Sequence, residues 1–454
     1  MKVMKFGGGC LKDADHFRRV GDVILSEKDK AVIVVSAISG VTDSLVEAVR
    51  LAAASERHVP GILRDLRERH RAVADRVFRN SAPHAGALSA AEAKLKKLER
   101  LLYGISYTEE ITPSVRAHIL SYGERLATII LSWLIRDGGR ESVPLEADRI
   151  GIVTDESFDN ATAILTEVKK SLARRVAPLV HQGVIPVITG YFGCTKNGKI
   201  TTFGRNGSDY SAAVVAYGLK ASVLEIWKDV DGFMSADPKI VKEAKSVREL
   251  SYYEAAELSY FGAKILYPRT VEPLIEKNIP LRIKNLFEPR RRGTLVRTGT
   301  SERRDIIKSI TYNRKISVLR IYGPGVGYRP GILADVGRIL AAMGINIYSV
   351  ITSQTCINLL LDKSDSERSY EALRAWVGGV IEKIVREEDI ALIGVVGQGL
   401  SKRQGVAAKV FSAVAREKIN VEMISSGASE VAYYFIVRKA DLERAIRAVH
   451  HEFF

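Results

Sequence analysis

Lys2-Val3-Met4-Lys5-Phe6-Gly7-Gly8-Gly9-Cys10-Leu11-Lys12-Asp13 is the stretch that decides the fold. Lys2–Phe6 reads as a strand, the glycines break the run, and Ala14–Ser26 continues with helical spacing. The pattern then repeats. Ala31–Ser36 (AVIVVS) is a continuous apolar strand, and Thr42–Ala54 reads as a helix. Short strands that are apolar on both faces, alternating with helices, predict a parallel sheet covered on both sides. Residues 62–135 read as mostly helical, and further strands are expected at Val143–Glu146, Val184–Thr189 and Ala221–Lys228. The chain therefore opens with a large α/β domain running to about residue 290. Phe287–Gly299, with its Pro, Arg and Gly residues, is expected to lead out of it.

The glycine run has a chemical reading. Glycines let the backbone approach an anion and present its N–H groups. A following helix adds partial positive charge, and Lys5 adds a point charge for a phosphate oxygen. A second strand–glycine–helix turn lies at Thr201-Thr202-Phe203-Gly204-Arg205-Asn206-Gly207-Ser208-Asp209-Tyr210. There Arg205 can hold a carboxylate by its fork, Ser208 is placed to cap the helix, and Asp209 falls in its first turn. Two such turns favour one shared anion site. Trp227-Lys228-Asp229 ends another strand, and Phe261-Gly262-Ala263-Lys264 offers a second lysine. Gly193–Lys199 fits the start of a phosphate-binding P-loop, but Ile200 follows instead of Ser or Thr. Asn197-Gly198 reads instead as a two-residue hairpin turn.

Composition excludes several classes. The 454 residues carry a net charge of +15, but the basic residues are dispersed and no nucleic-acid motif is present, so no nucleic-acid partner is expected. No apolar run reaches the roughly 18 residues of a membrane helix, so no membrane role is expected. The three cysteines are far apart, with no disulfide framework, no CxxC pair and no residue singled out as a metal ligand. A reducing, cytoplasmic setting is expected.

Beyond residue 300 the chain repeats itself. Gly323-x-Gly325-x3-Arg329-x-Gly331 matches Gly397-x-Gly399-x3-Arg403-x-Gly405, and 397 lies 74 past 323. The same offset pairs Val318–Ile321 with Leu392–Val395, Ile345-Asn346-Ile347 with Ile419-Asn420-Val421, and Ile357–Leu361 with Val431–Phe435. Each unit reads as strand, glycine turn, helix, strand, strand, helix, the pattern of small βαββαβ units. Small units of this kind placed after an enzyme often bind an effector.

Together these residues resemble the aspartate kinase (aspartokinase) family of the amino-acid kinase fold. The resemblance rests on KFGG at 5–8, VVSAISGVTDSL at 34–45, SYGERLA at 121–127, TTFGRNGSDYSAA at 201–213, DVDGFMSADPK at 229–239 and YFGAKILYP at 260–268. The repeats resemble ACT domains, and YGISYTEEITP at 103–113 is most similar to the monofunctional lysine- or threonine-sensitive branch. The resemblance implies a three-layer α/β sandwich with a mainly parallel sheet over 1–300, then ACT domains at 313–386 and 387–454. It implies transfer of the ATP γ-phosphoryl group to the β-carboxylate of L-aspartate, with Mg²⁺.

By the same resemblance, Lys5, Gly7 and Gly8 hold the phosphates. Ser36 and Thr42 lie on the substrate side, and Glu124 receives the substrate ammonium. Arg205, with Ser208 beside it, grips the substrate carboxylate. Asp209 orders the lysines and the metal. Lys228, Asp229, Met234, Lys239 and Lys264 contact the nucleotide. Asn346, Ser353 and Gln354 are the expected effector residues for lysine or threonine, at an interface that makes the protein a dimer or larger.

Three positions depart from the family pattern. Gly9-Cys10 stands for Thr-Ser, Lys228 for Thr, and Lys239 for Arg. Cys10 either fills a serine's place or, near a helix N-terminus, is a reactive thiol. Two other functions stay open at this point: a kinase of the same fold acting on another amino-acid carboxylate, and a weakly catalytic ACT-based amino-acid sensor.

Overall fold

The computed structural model describes every residue except Arg205, Lys264, 300–305, Val377, Gly399 and 401–402. The chain divides into two compact units. The first is Met1–Phe233, Ser246–Ala256 and Lys264–Thr300, and the second is Met234–Lys245, Glu257–Ala263 and Ser301–Phe454.

The first unit is built on an eight-stranded sheet. Its strands are β1 (Lys2–Phe6), β2 (Ala31–Val35), β3 (Ser142–Leu145), β4 (Ile185–Thr189), β7 (Val223–Lys228), β8 (Glu249–Ser251), β9 (Leu281–Asn285) and β10 (Thr294–Arg297). A separate hairpin pairs β5 (Phe192–Cys194) with β6 (Ile200–Thr202). The sheet order is β3-β4-β2-β1-β7-β9-β10-β8, parallel throughout except between β9 and β10. The reading of β2 and β4 as apolar on both faces fits, because every residue of both strands is buried. β1 is flanked by β2 and β7, so the chain leaves β1 in the middle of the sheet, where open α/β sheets place their ligands.

Helices cover the sheet. Helix Ala14–Leu25 begins where Asp13 accepts hydrogen bonds from the Asp15 and His16 N–H groups. The glycine run does not open this helix directly. It forms a short 3₁₀ turn, Gly8–Cys10, first. Helices Val59–Val77, Ser81–Thr108, Pro113–Leu120 and Tyr122–Asp137 supply the expected helical middle.

Two local expectations need correction. Phe287–Gly299 does not simply lead outward, because β10 lies within it and buries Thr294 and Val296 completely against β9 and β8. The β5–β6 hairpin is there, but only Gly198 is left-handed, at φ 78°. Its N–H donates to the Thr195 carbonyl at 2.9 Å, giving a longer loop than a two-residue turn. No helix follows, so the P-loop reading fails here as expected.

The second unit holds two four-stranded antiparallel sheets. Its strands are β11 (Ser309–Asn313), β12 (Ile316–Tyr322), β13 (Ile347–Thr352), β14 (Cys356–Asp362), β15 (Lys383–Glu387), β16 (Ile390–Val396), β17 (Met423–Ser425) and β18 (Ala432–Arg438). One sheet runs β13-β14-β12-β15 and the other β11-β16-β18-β17. The fourth strand of the second repeat therefore does not follow it. It is β11, which precedes the first repeat and pairs Ser309 with Val396.

The 74-residue offset carries β12 onto β16 and helix Ile332–Ala342 onto Val406–Arg416. It does not carry β14 onto β18, since Ala432 lies 76 past Cys356. Val431 falls just outside its strand, because the connection before β18 is longer than the one before β14.

Candidate active site

The C-terminal ends of β1 and β7 meet the first turn of helix Gly207–Leu219, and three charges converge there. Lys5 Nζ lies 2.5 Å from Asp209 Oδ1, and Lys228 Nζ lies 3.2 Å from Asp209 Oδ2. Asp209 is 1% exposed and Lys5 is 3%. Burial alone would raise the Asp209 pKa, but the charges of Lys228 and Lys5 outweigh it and hold the carboxyl below its ordinary range. Burial pulls the Lys5 ammonium down, and contact with the ionised Asp209 opposes that. Both carboxylate oxygens thus serve lysines.

Ser208 does not cap its helix. Asn206 occupies that position in a left-handed conformation, φ 58°, and the Ser208 hydroxyl instead meets the Ser36 hydroxyl at 2.7 Å. Ser36 follows β2, and its N–H donates to the Phe6 carbonyl at the end of β1. Its neighbour Ala37 donates its N–H to Glu124 Oε1 at 3.0 Å. Glu124 is 3% exposed, and its Oε2 has no hydrogen-bond partner among the described residues. Burial pushes its pKa up to about 8. Gly123 lets this packing form: a Cβ there would lie 2.6 Å from Ala37 Cβ. The two residues Ser36-Ala37 therefore touch both halves of the site.

Sequence reading missed one part of it. Thr189-Gly190-Tyr191 is a third strand–glycine turn, after β4. A Cβ on Gly190 would come within 2.8 Å of Ser208 Cβ and of the Val35 carbonyl. Tyr191 follows with φ 71°, accepts from the Phe203 N–H, and bonds through its hydroxyl to Thr202. The signal was present: a glycine after a buried strand, as at the other two turns.

The glycine loop is tied to β7. Cys10 is fully buried, and its thiol donates to the Trp227 carbonyl at 3.2 Å. Burial pushes this thiol up to about 11, so it fills a serine's place and is not a reactive thiolate. Asp229 sits at the loop rim. A Cβ on Gly9 would lie 3.3 Å from its Oδ2, which meets Lys12 Nζ at 3.5 Å.

The remaining expected residues distribute as follows. Gly7 and Gly8 lie directly after Lys5, and Thr42 is in the first turn of helix Val41–Ala54. Arg205 and Lys264 fall outside the described residues. Met234 and Lys239 belong to the second unit. The Met234 carbonyl accepts from Ser309, and Lys239 lines a cavity of about 620 Å³ with Lys242, Lys245, Arg447 and His450. In the β13-β14 region, Asn346 bonds to the side chain of Tyr260, and the Ser353 N–H donates to the Cys356 carbonyl. The Gln354 carbonyl accepts from the Gly327 N–H.

Among the described residues no group of three or more His, Cys, Asp or Glu side chains gathers into a metal cage. Magnesium commonly binds through substrate phosphates and one or two carboxylates, and Asp229, exposed at the loop rim, fits that pattern, whereas both oxygens of Asp209 are engaged by lysines. No helix of the described residues is long and apolar enough to cross a membrane.

Comparison with known proteins identifies the family. The amino acid kinase family model matches residues 1–285, and an ACT domain model matches 393–453. Aspartokinase 1, chloroplastic, of Arabidopsis thaliana is 33% identical over 469 residues, covering 100% of this chain and 80% of that one. Lysine-sensitive aspartokinase 3 of Escherichia coli is 29% identical, covering 100% and 99%. The structure of E. coli aspartokinase III with aspartate and ADP superposes with a TM-score of 0.83 at 28% identity, covering 100% and 99%. The same protein has also been solved with lysine and aspartate. With a buried lysine and carboxylate at the ends of a parallel sheet, and ACT-like sheets in its second unit, the chain belongs to the amino acid kinase family and, within it, to the aspartokinases.

Proposed function

We propose that this protein transfers the γ-phosphoryl group of ATP to the β-carboxylate of L-aspartate, releasing ADP and 4-phospho-L-aspartate. The observation that carries this reading is the joint role of Ser36-Ala37. One residue bonds Ser208, next to the lysine-bound Asp209, and the other bonds Glu124, whose free oxygen is buried. A buried carboxylate beside a cationic cluster suits a substrate with an ammonium at one end and an anion at the other.

The chemistry needs little covalent help. The attacking carboxylate is already ionised at neutral pH, so no general base is required. Both reactants are anions, and the work is to offset their repulsion and hold them in line. Lys5 and the N–H groups of Gly7 and Gly8 hold the phosphates, Asp209 fixes Lys5 in place, and Lys264 adds charge. Glu124 takes the substrate ammonium, Arg205 and Ser208 the carboxylate, and Ser36 and Thr42 line the substrate side. Lys228 and Asp229 face the nucleotide, which brings magnesium to neutralise its terminal oxygens.

The ACT-like unit carries feedback by lysine or threonine through Asn346, Ser353 and Gln354 in a dimeric or larger assembly. Calorimetric titration with each amino acid tests that part. For the reaction, ADP release is followed with L-aspartate, L-glutamate and L-asparagine as acceptors. Turnover confined to aspartate supports the reading, and equal or better turnover with glutamate sinks it.

A further inference from the structure

Asp209 carries one more lysine than the proposed chemistry requires. Lys5 Nζ at 2.5 Å already neutralises it through Oδ1, and Lys228 Nζ at 3.2 Å occupies Oδ2. The two lysines differ in access. The Lys5 side chain is 4% exposed, whereas that of Lys228 is 20% exposed, so Lys228 reaches the carboxylate from the open side. An independent contact fixes where Lys228 leaves its strand. The thiol of Cys10 bonds the carbonyl of Trp227, the preceding residue, and a Cβ on Gly7 would lie 4.0 Å from that same carbonyl. The backbone that carries Lys228 therefore packs against the glycine loop, and its charge acts on the Cys10 thiol of that loop.

Counting charges makes the consequence plain. Lys5 and Lys228 bring two positive charges and Asp209 one negative. Glu124, the next carboxyl to feel Lys5, is held protonated at neutral pH by burial. At the rim Lys12 and Asp229 offset each other across 3.5 Å. The described groups thus leave one surplus positive charge at the mouth of a largely buried site. An unmatched charge in such a place is costly until an anion arrives. With threonine at 228, the residue expected there from the family pattern, the same described groups would balance, and the nucleotide charge would be offset by magnesium and by the Lys264 of the proposed function.

We propose that Lys228 is a fixed cation standing in for part of the magnesium charge, so that this protein binds the terminal phosphates of a nucleoside diphosphate or triphosphate without metal. This rests on the nucleotide reading of the site given above.

The test is calorimetric titration of the full-length protein with ADP, once with excess magnesium and once with EDTA. Wild type should bind ADP in EDTA within about tenfold of its magnesium affinity. Lys228→Thr should lose at least tenfold in EDTA but less than threefold with magnesium, and Lys228→Arg should retain metal-free binding. Lys228→Met keeps the aliphatic stem and should behave as Lys228→Thr, with thermal melting verifying that each variant is folded. Wild type that binds ADP only with magnesium overturns the proposal, as does a Lys228→Thr protein that binds metal-free ADP as tightly as wild type. Both overturning results leave magnesium-ADP binding intact, so they are distinct from failure of the kinase reading, in which wild type binds no magnesium-ADP.

Discussion

Glu124→Gln should weaken aspartate use and strengthen the fold in one step. The carboxyl is buried, accepts from the Ala37 N–H through Oε1, and keeps an unpartnered Oε2. Burial raises its pKa from 4.5 to about 8. The unfolded chain ionises near 4.5 and the folded one only near 8, so between those values the folded state holds the extra proton. Stability is therefore unaffected below 4.5 and is lost as pH rises toward 8. At about 1.4 kcal/mol per pH unit, the loss is bounded at about 5 kcal/mol. Glutamine keeps the shape and the Ala37 bond but never ionises, so the variant escapes this penalty. Relief of about 2 kcal/mol raises Tm by about 3–4 °C in a unit of this size. That gain should appear at pH 8.5 and vanish near pH 4.

Activity moves the other way. A hydrogen bond between charged groups is worth about 1.5–3 kcal/mol, so kcat/KM for aspartate should fall about 10- to 150-fold while KM for ATP stays close to wild type. Calorimetric melting at the two pH values, paired with steady-state kinetics, reads both effects. Unchanged kcat/KM for aspartate, or a melting shift equal at both pH values, refutes the reasoning.

Four further outcomes are expected. In wild type, kcat/KM for aspartate should rise with pH through about 8 as Glu124 ionises, and this limb should be missing from Glu124→Gln when both profiles are measured. Asp209→Asn strands Lys5 and Lys228 without their counter-charge, so urea denaturation should show a loss of about 3–5 kcal/mol together with abolished turnover. Gly123→Ala puts a methyl 2.6 Å from Ala37 Cβ, shifting the Ser36-Ala37 turn. Its kcat/KM for aspartate should drop by up to about 100-fold, measurable against a near-wild-type melting curve. All three cysteines are buried, so a chromogenic thiol reagent should find no fast-reacting thiol in the native protein, with or without ATP, and three after denaturation.

How far the sequence reaches depends on the range of the interaction. β2 was legible because a strand buried on both faces needs a continuous apolar run, and β1 because the glycines after its Val, Met and Phe mark where it stops. The phosphate-cradle reading of Lys5 and Asp209 also followed from local pattern. What escaped was non-local. β11 joins the second ACT-like sheet by pairing Ser309 with Val396, across the whole first repeat, and no local periodicity records such a pairing. Ser208 looked like a cap because it stands at a helix start, yet the left-handed Asn206 takes that position and frees Ser208 for Ser36. The Lys228–Asp209 contact joins the end of a strand to the start of the preceding helix, and only the parallel sheet brings those ends together.

The central claim is phosphoryl transfer to the aspartate side chain, and its product can be caught directly. An acyl phosphate reacts with hydroxylamine to give a hydroxamate and inorganic phosphate, whereas a phosphate ester does not. Incubation with magnesium-ATP, L-aspartate and hydroxylamine should yield β-aspartyl hydroxamate, identified by mass spectrometry, in step with ADP release, with none formed by Lys5→Ala that is still folded by thermal melting. ADP release without hydroxamate, or hydroxamate formed at the wild-type rate by Lys5→Ala, would contradict the account.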